Sequence, residues 1–96
     1  MSIIEWRKLL RWLRKNFPTN IPIKVKRAPS KKNHAITRFD GRVIQIRVGS
    51  DQDRPMLIDS MLHEYAHALA IDDAYSHKET WGRLYSMIYT AYEKRP

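Results

Sequence analysis

Along the first seventeen residues, apolar side chains recur at Ile3, Trp6, Leu10, Leu13 and Phe17, with Leu9 widening the stripe. Steps of three and four residues predict a helix over 2–16. Arg7, Arg11, Arg14 and Lys15 fall on another face, with Lys8 at its side. Pro18 ends this helix and Thr19-Asn20 turns the chain. The period then drops to two: Ile21, Ile23 and Val25 share one side of a predicted strand over 21–26. Residues 28–33 are polar, basic and interrupted by Pro29, which predicts a loop. His34 to Phe39 and Arg42 to Val48 then flank Asp40-Gly41, a dipeptide suited to a hairpin with a type I′ turn.

Helical spacing returns after Gly49-Ser50-Asp51-Gln52. Asp53 suits an N-cap and Pro55 the first turn of a second helix over about 54–71. Asp72 to Tyr75 interrupts it, and Ser76-His77-Lys78-Glu79 has the form of a capping box. A last helix follows, with Trp81, Leu84, Tyr85, Ile88 and Tyr92 as its inward stripe. The expected class is α+β: an N-terminal helix, a small three-stranded sheet, antiparallel or mixed, and two closing helices. There is no internal repeat, and 96 residues predict a single domain over 1–96.

Composition sharpens this frame. There is no cysteine, so disulfides and thiolate metal sites are excluded, and any metal must be held by His, Asp or Glu. Met1 to Phe17 is broken by Glu5, Arg7, Lys8, Arg11, Arg14 and Lys15, and so lacks a signal-peptide core. No segment has the length and apolarity of a membrane span, and an intracellular, cytoplasmic location is expected. Lys and Arg number 18 against 10 acidic residues, a net charge of +8. Such an excess favours polyanions, nucleic acid above all. The expected DNA contacts are Arg7, Lys8, Arg11, Arg14, Lys15, Lys24, Lys26, Arg27, Lys31 and Lys32, with Trp12 placed to stack on a base or to pack at the stripe's edge. A basic, Trp-bearing first helix also suits an interfacial membrane anchor, but so small a domain needs that apolar face for its core.

The candidate chemistry lies in His63-Glu64-Tyr65-Ala66-His67, an H-E-x-x-H sequence inside the second predicted helix. Residues four apart sit one turn above each other, so His63 and His67 can reach one zinc ion while Glu64 works as a general base on water. A catalytic zinc site has three protein ligands. His77, at the first position of the last helix, is the candidate third ligand, because the helix dipole there favours a neutral imidazole. Asp73 is the alternative: it stands at the third-ligand place of H-E-x-x-H-x-x-G-x-x-H/D metalloproteases, although Ala70 replaces their glycine.

Together, His63-Glu64-Tyr65-Ala66-His67-Ala68-Leu69, then His77 with Trp81 four residues later, resemble the SprT-like (Spartan-type) zinc metalloprotease domain. The firm likeness covers residues 57–81, and Lys78 stands where the family usually has glycine. The resemblance implies a minimal zincin-like fold, His63, His67 and His77 as zinc ligands, Glu64 as base, and peptide-bond hydrolysis in protein substrates, DNA-associated proteins among them. In such folds substrate lies along a sheet edge, here expected from residues 42–48. Tyr75, Tyr85, His34 and Arg38 are candidate donors to the carbonyl oxygen. The competing expectation is a basic nucleic-acid-binding module whose metal is structural or vestigial.

Overall fold

The computed structural model describes residues 1–29, 35–71 and 77–96, with the backbone alone at residues 77 and 78. Helix α1 spans Ile3–Asn16 and is capped by the Ser2 hydroxyl, which accepts the Glu5 N–H at 3.1 Å. Trp6, Leu9 and Leu13 are its buried face, whereas Ile3 is 55% exposed: the predicted stripe is correct but begins one turn later. Trp12 packs edge-on against Phe17 and Tyr92, which places it at the margin of the core.

Strand β1 runs Ile23–Ala28, β2 Ala35–Phe39 and β3 Ile44–Gly49. The sheet is mixed, in the order β1-β3-β2, with β1 parallel and β2 antiparallel to β3. β1 starts two residues later than the alternation predicts. Pro22 has no N–H to give a ladder, and it joins the sheet only as acceptor, through its carbonyl to the Ile44 N–H at 2.9 Å.

The hairpin at Asp40-Gly41 forms, but not with a type I′ turn. That turn needs positive φ at both central residues, and among the described residues only Gly41 has it, at 94°. Strand pairing stops at Phe39 and Ile44, so residues 40–43 form a four-residue loop. Its geometry is fixed by the Asp40 carboxylate, which accepts the N–H groups of Arg42 and Val43, both at 2.8 Å. Those two bonds hold the Asp40 pKa below the usual carboxylate value.

Helix α2 spans Arg54–Leu69 with Asp53 as N-cap, and α3 spans His77–Glu93. α2 contacts β2, β3 and α3, which explains why apolar residues surround most of it. Ile44, Ile46 and Val48 from β3, Leu57, Met61 and Leu62 from α2, and Ile88 from α3 meet the α1 face in one core. Trp81, Leu84, Tyr85 and Tyr92 pack against it, as the predicted α3 stripe requires. No helix among the described residues is long and apolar enough to cross a membrane. Residues 30–34 and 72–76 lie outside the described residues, and with them the predicted loop around Lys31 and Lys32, the strand start at His34, the alternative ligand Asp73, and the Ser76 cap.

Candidate metal centre

The C-terminal half of α2 carries the motif, and packing fixes its orientation. Tyr65 is buried and its hydroxyl donates to the Phe17 carbonyl at 2.7 Å, tying α2 to the end of α1. Burial raises the Tyr65 pKa. With Tyr65, Ala66 and Ala68 turned into the core, His63 and His67 are left half-buried on the face of α2 beside α3. The Trp81 ring of α3 stacks on His67, 4.9 Å between centroids and 15° between planes, and meets His63 at 4.7 Å. Its indole N–H donates to the His63 carbonyl at 3.2 Å. One side chain therefore buttresses both imidazoles and pins α3 to the motif's first turn.

The two Nε2 atoms of His63 and His67 are 3.3 Å apart. Tetrahedral zinc with Zn–N bonds of about 2.0–2.1 Å separates two nitrogen ligands by about 3.3–3.4 Å. The donor set fits: His63, Glu64 and His67 each offer a ligand atom within 4.8 Å of the others. Without a metal, the same approach accommodates a single N–H···N bond between one donor and one acceptor nitrogen.

Among the described residues Glu64 is the one buried charged residue, 7% exposed. Burying a carboxylate is costly unless it is hydrogen-bonded, and its partner comes from the sheet. Thr37 on β2 donates its hydroxyl to Glu64 Oε1 at 2.8 Å and lies 3.2 Å from the Glu64 carbonyl. The other oxygen, Oε2, is 3.7 Å from His63 Nε2. One carboxylate oxygen is thus held by the sheet while the other faces the imidazole pair. A cleft of about 500 Å³ opens here, lined by Ala35, Ile36, Thr37, Glu64, His67, Ala70 and Ile71.

The sheet order corrects one expectation. Residues 42–48 cannot supply a substrate edge, because β3 is the central strand with both sides paired. The edge beside α2 is β2. Since the Ile44 and Ser50 N–H groups bond towards β1, to Pro22 and Ala28, alternation leaves Arg38–Gln45 and Ile36–Arg47 as the hydrogen-bonded pairs with β2. The N–H and C=O groups of Ala35, Thr37 and Phe39 therefore point to the edge that no described strand pairs.

Of the predicted site residues, the structure brings His63, Glu64 and His67 together. His77 is the first residue of α3, as expected, and its side chain lies outside the described residues. Tyr85 packs on His63 at 5.5 Å, but its hydroxyl is bonded to the Asp59 carboxylate rather than free to meet a carbonyl oxygen. Desolvation, then that bond, raises the Tyr85 pKa. Arg38 is exposed on β2, while His34 and Tyr75 lie outside the described residues. Sequence reading missed Thr37 and Asp59. Asp59 had a legible signal, one turn before His63 on the same helix face; Thr37 had none, because its role depends on which strand lies against α2. No family model, curated protein or solved structure matches the chain.

Proposed function

We propose that the chain is a zinc-dependent endopeptidase with a minimal SprT-like, zincin-like arrangement. The observation that carries this reading is the convergence of two imidazole nitrogens 3.3 Å apart beside a buried glutamate. His63 and His67 would hold the ion through Nε2, with His77 as third ligand from the start of α3. When bound, zinc supplies a Lewis acid and brings the pKa of a coordinated water to about 7.

The remaining steps belong to the chain. Thr37 keeps Glu64 Oε1 occupied, so Oε2 is the basic atom. Glu64 accepts a proton at Oε2 as water attacks the scissile carbonyl carbon, then returns it to the amine nitrogen as the C–N bond breaks. An extended peptide adds to β2 as a fourth strand, paired with the edge-facing N–H and C=O groups of Ala35, Thr37 and Phe39. That register sets the peptide over the 500 Å³ cleft.

The test pairs metal analysis with proteolysis. Wild type and Glu64→Gln should both bind one zinc per chain, while Glu64→Gln loses about 10²–10⁴-fold in cleavage of an unfolded protein substrate. His63→Ala and His67→Ala should lose the metal. Cleavage that persists in Glu64→Gln sinks the mechanism, and a wild type that binds no zinc sinks the whole reading.

A further inference from the structure

The three helices contribute to one core on one face of the sheet. Among the described residues, none packs on the opposite face. Alternation and register define what it presents. Lys24, Gln45 and Arg38 align in one row across β1, β3 and β2, and Lys26, Arg47 and Ile36 in the next. Lys24, Lys26, Arg38, Gln45 and Arg47 are all exposed. No acidic residue occurs in any of the three strands. Neighbouring strands lie about 4.8 Å apart and alternate residues about 6.7 Å apart, so four cations crowd a patch only three strands wide. Like charges at such spacing repel, and together they attract a polyanion.

We propose that this sheet face docks the phosphate backbone of double-stranded nucleic acid. Charge complementarity selects a polyphosphate, and the rest of the patch selects among polyanions. Among the described residues none of the outward ones is aromatic, so they offer no platform on which unpaired bases would stack. Among the described residues it also has no exposed large apolar side chain to enter a bilayer, as an amphipathic membrane site does. What remains is contact with outward-facing phosphates, without base readout. The structure shifts this role away from parts of the set expected from sequence. Arg27 turns to the core side, donating to the Met1 carbonyl at 2.8 Å with its guanidinium 5.5 Å from the Trp6 ring. Arg14 belongs to α1, on the helix-covered side of the sheet, and donates to the Ile23 carbonyl at 3.0 Å. Arg38 and Arg47, outside that set, join Lys24 and Lys26; Arg47 also donates to the Pro29 carbonyl at 3.3 Å and stays exposed on this face.

The inference is independent of zinc and of hydrolysis, and the test uses binding alone. Fluorescence anisotropy with a short mixed-sequence duplex would compare wild type, Lys24→Gln/Lys26→Gln/Arg38→Gln, and Arg7→Gln/Arg11→Gln on the exposed face of α1. Each neutralised phosphate adds about 0.9 to the slope of log affinity against log salt. Four cations then give roughly a hundredfold loss of affinity between 50 and 200 mM salt, and the triple variant about a threefold loss. The α1 variant and Glu64→Gln should keep the steep slope. Circular dichroism checks that the triple variant is folded; should it not be, Lys26→Gln and Arg38→Gln singly should each flatten the slope by about 0.9. A slope lost in the α1 variant and kept in the sheet variants overturns the assignment. So does tighter binding to vesicles of equal parts phosphatidylcholine and phosphatidylserine than to the duplex.

Discussion

Thr37 shows how one hydroxyl can connect the sheet to the chemistry. Its bond to Glu64 Oε1 satisfies a buried carboxylate and fixes which oxygen faces the imidazoles. Thr37→Val keeps the shape and removes the donor. In the proposed enzyme it should lower kcat about tenfold with KM little changed, because Glu64 loses the contact that aims Oε2 at the imidazoles. Thr37→Ser should restore kcat, and zinc content should be unchanged in either. An unchanged kcat in Thr37→Val would mean that Thr37 only packs. Tyr65 makes a prediction of the opposite kind, about stability. Burial raises its folded pKa above the ordinary tyrosine value of 10.0. The unfolded chain therefore loses that proton first as pH rises, so the Tyr65 contribution to stability is intact below pH 10 and declines above it. Tyr65→Phe should cost about 1 kcal/mol at neutral pH by leaving the Phe17 carbonyl without its donor, and should melt with a smaller alkaline loss than wild type.

At the scale of elements, hydrophobic period was a faithful guide to what forms and a poor one to what neighbours what. The α1 stripe, the β3 alternation and the Asp53 cap were legible because each is set by residues within a turn or two. Strand order was not. Lys24-Val25-Lys26 and Gln45-Ile46-Arg47 alternate in the same way whether their strand is central or at an edge. The inner face separates β3 from β2, though not from β1: Ile44, Ile46 and Val48 are β-branched and buried, whereas β2 offers Ala35, Thr37 and a 41% exposed Phe39. The metal motif was legible because i, i+4 spacing is local, and its glutamate's partner was hidden because it lies 27 residues away. Turn type was misread for a related reason, since Asp40 uses its side chain where a type I′ turn would use its backbone. Gly41→Ala should accordingly cost about 1–2 kcal/mol, the strain of a Cβ at positive φ, and urea melts of the two proteins would measure it. A neutral result would show that the loop relaxes to another turn.

For the whole molecule, the question is whether a metal contributes to folding or only to chemistry. The core already joins all three helices and the central strand without one, so an apo protein should fold. A ligand that binds only the folded state still adds about 2.7 kcal/mol at a hundred times its dissociation constant. In a domain of this size that corresponds to a rise of roughly 10–20 °C in Tm. Where the gain comes from depends on the third ligand. His63 and His67 share one helix, and a metal held by them alone would stiffen α2 without restraining anything else. His77 begins α3, so its imidazole would clasp α3 to α2 at the end opposite Ile88 and Tyr92. Calorimetry with zinc and with a chelator should thus show the full shift in wild type and in Glu64→Gln, and most of it lost in His77→Ala. Asp73→Ala should leave it whole. The reverse pattern would make Asp73 the third ligand, and a wild-type Tm indifferent to zinc would remove the metal from both the fold and the proposed chemistry.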